Sequence, residues 1–153
     1  MDIAAMCDYR ALATAAVQGL TPYQPGKPIS ELERELGVSD IIKMASNENP
    51  LGPGDAARDA MRSALTEVAL YPDGNGFELK QAIATRFGVA LSQITLGNGS
   101  NDVLDLIARA YLGPGREAVF SEYAFAVYPI ATQAVGATAR VAKALDYGHD
   151  LAA

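Results

Sequence analysis

Up to about residue 90, apolar side chains recur at helical spacing between loops rich in proline and glycine. Beyond it, the rhythm shortens to alternating strands and helices. Tyr9, Leu12 and Ala16 sit on one face of an Ala-rich stretch and predict a helix within residues 1–18, with Gly19 as its stop. Residues 21–28 hold three prolines and a glycine, which reads as an extended arm. A second helix is expected from Ser30, with Ser30 and Glu33 as a capping box, Leu32 and Leu36 inward, and Gly37 at the left-handed stop. Residues 41–45 read as a short strand and 46–54 as a polar loop. Asp55 is expected to cap a helix through about Val68, with Ala57, Ala60, Met61, Ala64 and Leu65 on one face. Phe77, Leu79, Ile83 and Phe87 mark another helix, ended by Gly88.

The second half predicts strand 94–96, a tight loop at 97–101, and a helix through Val103, Leu104, Ile107 and Tyr111. Strand 117–120, helix 124–135 and strand 138–142 follow. Strands and helices in strict alternation, joined by short loops, imply right-handed crossovers and a mainly parallel α/β sheet.

Composition narrows the class. The 153 residues carry a net charge of −6, which argues against nucleic acid or an anionic membrane as main partner. A single cysteine, Cys7, excludes an intrachain disulfide framework and a multi-cysteine zinc site. The only histidine, His149, excludes histidine-rich metal sites, so no metal is expected. No apolar run reaches the roughly 20 residues of a spanning helix, and the N-terminus lacks a basic leader. A soluble cytoplasmic protein is the expectation.

Candidate chemistry lies in the loops. Gly97-Asn98-Gly99-Ser100-Asn101-Asp102 follows a predicted strand and opens a helix. Glycines there let backbone amides approach an anion, and a helix start offers free N–H groups. The alternative is that Ser100 or Asn101 merely caps the helix. Asp102 replaces the third glycine of a dinucleotide fingerprint. Phe125 and Tyr128, three apart, read first as core residues. They also stand after a strand, where ligands bind in such sheets and an aromatic can stack on a flat ring. Asn47 and Tyr71 lie in Pro-bounded loops that either line a site or cap backbone. Cys7 and His149 read as inert, and Glu31, Glu33 and Glu35 as a solvated helix face.

Five stretches, taken in order, carry a resemblance: residues 20–28 (LTPYQPGKP), 44–53 (MASNENPLGP), 70–76 (LYPDGNG), 97–102 (GNGSND) and 125–128 (FAVY). The chain resembles the fold type I pyridoxal-phosphate aminotransferases, in particular the histidinol-phosphate aminotransferase family, from about residue 9 to the end. The resemblance implies that Ser100 and Asn101 hold the phosphate of pyridoxal 5'-phosphate. It lays Phe125 on the pyridine ring, where many relatives carry tyrosine. It takes Tyr71 to the cofactor phosphate of the other subunit of a homodimer, and gives Tyr23 and Asn47 to substrate. The implied reaction passes an amino group from glutamate to imidazole-acetol phosphate, in histidine biosynthesis. Aromatic-amino-acid aminotransferases and threonine-phosphate decarboxylases share several of the motifs.

The family also implies a lysine joined to the cofactor, a pyridine-binding aspartate and a carboxylate-binding arginine. None of Lys27, Lys43, Lys80 and Lys143 lies in the expected Ser/Thr-rich, Gly-flanked context. The expectation is therefore an N-terminal portion: an arm over 1–29, part of a small domain over 30–75, and the start of the cofactor domain over 76–153. No catalytic residue is assigned, the chain alone is expected to be inactive, and residues 146–153 are expected to enter a helix. The alternatives are a stand-alone phosphate-binding α/β module and a non-catalytic partner of a full-length paralogue.

Overall fold

The structure is a computed structural model and describes residues 8–44 and 46–152. The predicted inertness of Cys7 lies outside them, as does the first part of the N-terminal helix. The chain divides into two compact units. One joins the chain up to Tyr23 with Thr95 onward, and the other is Gln24–Ile94.

In the first unit the Ala-rich segment forms two single turns rather than one helix, α1 (Tyr9–Leu12) and α2 (Ala15–Gln18). Side chains explain the break. Asp8 Oδ1 accepts the Arg10 and Ala11 N–H groups at 3.0 and 3.2 Å, which starts α1. Gln18 Nε2 then donates to the carbonyls of Ala11 and Ala13, which fixes the corner. The helix α6 (Ser100–Tyr111) ends at the expected Gly113-Pro114-Gly115. Strands β1 (Glu117–Ser121) and β2 (Thr138–Ala142) pair in parallel, Glu117 opposite Thr138 and Ser121 opposite Ala142. The crossover between them carries α7 (Val127–Ala134).

Helix α7 starts three residues later than its pattern suggests, because residues 122–126 form a turn in which the Ala124 N–H donates to the Ser121 carbonyl at 3.0 Å. Ala108 on α6 and Ala131 and Thr132 on α7 are buried, so the core lies where these helices meet. The Thr132 hydroxyl is satisfied within its own helix, donating to the Tyr128 carbonyl at 2.7 Å.

Two expectations fail here. Residues 94–96 form no strand: Ile94 is extended, but no neighbouring strand supplies ladder hydrogen bonds. Residues 146–152 form no helix. Instead β3 (Ala144–Leu145) and β4 (Gly148–His149) make an antiparallel hairpin. Asp146 and Tyr147 close it with φ of 50° and 62°, the left-handed pair that a two-residue hairpin turn requires.

The second unit is helical. It holds α3 (Ile29–Leu36), α4 (Asp55–Ala64), which tightens into a 3-10 turn at Leu65–Glu67, and α5 (Phe77–Phe87). Helix α3 starts at Ile29 behind Pro28, so Ser30 lies inside the helix and the predicted capping box is not made. Gly54, not Asp55, caps α4. Gly37 and Gly88 take the expected left-handed stops, each returning its N–H to the helix at 2.9 Å. Residues 41–44 form no strand, again for want of a partner, and Ala45 lies outside the described residues. The apolar stripe of α4 stays open, with Met61 and Leu65 more than half exposed.

Candidate functional site

Helix α6 begins without a side-chain cap, because its N-cap is Gly99, with φ +80°. Ser100 and Asn101 therefore lie inside the first turn, which removes the reading in which either is simply the cap. Among the described residues, the N–H groups of Ser100, Asn101 and Asp102 donate to no backbone carbonyl. These are the orphan donors that a helix start turns toward an anion, with the positive end of the helix dipole behind them.

The turn feeding α6 is held from within. Asp102 Oδ2 accepts the Asn98 N–H at 2.9 Å, folding the carboxylate back over the loop. The turn is also tight. A Cβ on Gly97 would stand 2.8 Å from both Asp102 Oδ2 and Val103 Cγ2, and 3.3 Å from the Val103 nitrogen. Only a residue without a side chain fits there.

In the same unit, a cleft of about 490 Å³ opens after β1. Its walls include Phe120, Ser121, Tyr123, Phe125, Tyr128 and His149. Phe125 and Tyr128 are 45% and 40% exposed, so they are cleft residues and not the core residues their spacing first suggests. Tyr23 meets Phe125 edge to face, with ring centroids 5.4 Å apart. Phe120 and Tyr128 lie 6.0 Å apart in a tilted pair. The sequence-predicted residues Tyr23 and Phe125 are thus in contact, and Ser100 and Asn101 share one helix turn.

The hairpin is fastened beside this cleft. Glu122 Oε1 accepts from Lys143 Nζ at 2.8 Å, and Oε2 accepts the Ala144 N–H at 3.1 Å. The Lys143 hydrogen bond, then that of Ala144, holds the Glu122 carboxyl below its usual range. The same pairing raises Lys143. Tyr147, at the hairpin tip, stacks on Tyr123 at 5.6 Å. Sequence reasoning set His149 aside and did not find Glu122 or Tyr147. The Asp-Tyr-Gly run after β2 was the available turn signal.

Tyr71 and Asn47 lie in the second unit. Tyr71 is fully exposed on the loop before α5, and Asn47 is exposed in a bend. Its neighbours are engaged locally. Asn49 accepts from the Leu51 N–H and donates to the Gly52 carbonyl, and Glu48 pairs with Lys43 Nζ at 2.6 Å. Among the described residues no cluster of His, Cys, Asp and Glu suits a metal, and no helix is long and apolar enough to cross a membrane.

No family model matches the chain. Individual relatives match closely. Histidinol-phosphate aminotransferase 2 of Pseudomonas aeruginosa is 63% identical over 150 residues, which is 97% of this chain and 41% of that protein. The chain is thus similar, over nearly all of its own length, to part of a histidinol-phosphate aminotransferase. Histidinol-phosphate aminotransferase 1 of Thiobacillus denitrificans is 60% identical over 95% of this chain and 39% of its own length. The chain spans about two-fifths of the length of the curated relatives it matches. Among solved structures, the histidinol-phosphate aminotransferase of Sinorhizobium meliloti, in complex with pyridoxal-5'-phosphate, superposes with a TM-score of 0.74 at 26% identity. The match covers 87% of this chain and 35% of that one. The α/β architecture with its parallel pair is therefore an incomplete fold type I domain.

Proposed function

We propose that this chain is the N-terminal portion of a histidinol-phosphate aminotransferase and forms one wall of its pyridoxal-phosphate site. The observation that carries the reading is the start of α6. Three free amides stand behind a glycine with no room for a Cβ, and the sequence relatives are aminotransferases of a phosphorylated substrate. The residues fit a phosphorylated planar ring. Ser100 and Asn101 receive the phosphate through backbone amides, and the half-exposed Phe125 offers a face to the ring. Phenylalanine offers a ring face for stacking and supplies no hydroxyl.

Bound pyridoxal phosphate supplies an electron sink at the substrate's α-carbon. The contribution of this chain is binding and orientation. Tyr23, against Phe125, and Asn47 are assigned to substrate, and the fully exposed Tyr71 to the cofactor phosphate of a second subunit in a homodimer. The arm is assigned to 1–29, the small-domain portion to 30–75 and the start of the cofactor domain to 76–153. The substrates are glutamate and imidazole-acetol phosphate, and the location is the cytoplasm.

The covalent anchor is assigned to none of this chain's lysines. A lysine that attacks a carbonyl at neutral pH needs its pKa lowered. Lys27 is raised by its hydrogen bond to Glu35, and Lys143 by its hydrogen bond to Glu122. Lys43 is paired with Glu48, and Lys80 sits on α5 in the second unit, where its charge acts on the Asp73 carboxylate. Borohydride reduction of the 153-residue chain with pyridoxal phosphate should therefore give no stoichiometric adduct at a single lysine, and no transaminase turnover should be seen. A mapped one-site adduct overturns this assignment.

The phosphate site is tested separately. Inorganic phosphate should shift the Ser100 and Asn101 amide resonances, and Gly97→Ala should abolish the shift. Phosphate binding elsewhere, with these amides unmoved, overturns the site.

A further inference from the structure

The hairpin brings an imidazole to the aromatic cleft. His149 is the last residue of β4 and lines the same cleft as Phe125, Tyr123 and Tyr128. Its position is set twice over. Ala144, its partner in the β3–β4 ladder, gives its N–H to Glu122 at 3.1 Å, and the hairpin tip is pinned by the stack of Tyr147 on Tyr123. The turn between them holds a tyrosine at φ 62°, a conformation that a bulky side chain adopts only when its surroundings favour it. The chain spends backbone strain, an ion pair and a ring stack on keeping this hairpin beside the cleft.

We propose that His149 contacts the same planar ring as Phe125, with Glu122 as the residue that positions it. This rests on the reading of the cleft as the ring end of a phosphorylated-cofactor site. An imidazole adds what the aromatic walls lack, a ring nitrogen able to donate or accept a hydrogen bond at the edge of a heteroaromatic ligand. Tyr123 and Tyr128 give the remaining flat surface.

His149 is the only histidine, so its imidazole Cε1–H is a single, unambiguous NMR signal. The probe is pyridoxine 5'-phosphate, which has the ring and phosphate but no aldehyde and so cannot react with lysines. It is titrated into the 153-residue chain while the imidazole signal and the Ser100 and Asn101 amides are followed. All three should move along one saturation curve. His149→Ala should weaken the probe by about three- to tenfold, the size of one aromatic contact, and leave inorganic phosphate binding unchanged. Glu122→Gln should reduce the shift of the imidazole signal while the amides still respond.

Amides that shift beside a stationary imidazole overturn the role of His149 and leave the phosphate reading intact. If neither moves, both fail. An imidazole that moves while the amides stay fixed preserves the contact and overturns the phosphate assignment. The wild-type titration decides the matter even if a variant does not fold.

Discussion

At the residue scale, the most constrained position is Gly97. Two side-chain atoms and a backbone nitrogen occupy the space a Cβ would need, and one of them, Asp102 Oδ2, is already the acceptor for Asn98. The carboxylate cannot move aside without releasing that amide. Gly97→Ala should cost about 1–3 kcal/mol, as other insertions into filled space do, and thermal unfolding of the purified chain measures it. The chemistry of this turn was legible in the sequence because it is local, with glycines, a helix start and short polar side chains within six positions. The part Asp102 plays was not legible. Its place in the motif showed only that a third glycine was missing, whereas its hydrogen bond to Asn98 makes it a brace. The exposure of Phe125 was equally hidden. A pair at i and i+3 has the same pattern whether it faces a core or a cleft, and only the turn at 122–126 decides which.

Between residues and the whole lie the elements, and here the stops were readable while the strands were not. Gly88 ends α5 at φ +67° with nothing within 4 Å of its would-be Cβ, so only the backbone resists a side chain there. Gly88→Ala should destabilise by about 1–2 kcal/mol through that strain alone, seen as a loss of helical signal at lower temperature. Residues 41–44 and 94–96 have strand-like sequences and no strand, since a strand is defined by a neighbour far away in sequence.

The hairpin erred in the opposite direction, because Asp146-Tyr147 is a poor sequence for its left-handed turn and is held by tertiary contacts. Its fastening is pH-dependent. Glu122 lies below its ordinary value of 4.5, so its contribution is complete above that value and is lost as pH falls through the lower folded value. Lys143 lies above 10.5, so its share is complete below that value and is lost above the raised one. The Tyr123–Tyr147 stack should therefore be unchanged from about pH 6 to 10 and loosen in acid. Near-ultraviolet circular dichroism of the tyrosines measures this, and Glu122→Gln should remove the acid transition.

Taken whole, the chain buries little. Ala108, Ala131 and Thr132 are its only buried side chains among the described residues, and Val119 on β1 is 73% exposed. The parallel pair has α7 against it, while Val119 stays largely exposed at the rim of the aromatic cleft. Parallel sheets ordinarily have both faces covered. This suits a chain matching two-fifths of its relatives' length. The α/β class was legible because helix and strand alternate in the last sixty or so residues, and the extent of open surface was not, since hydrophobic pattern shows which face wants cover and not whether it has it.

The two small sheets also differ in how much chain they must close. Leu145 and Gly148 meet across two residues, whereas Ser121 meets Ala142 only after the whole α7 crossover is in place. Closing a short loop costs less entropy and is faster than closing a long one. During folding the hairpin has its local turn early but no anchor, because Glu122 and Tyr123 reach it only once β1 lies beside β2. The cleft is thus assembled after the β1–β2 pair, and the hairpin amides should exchange with deuterium sooner than those of that pair.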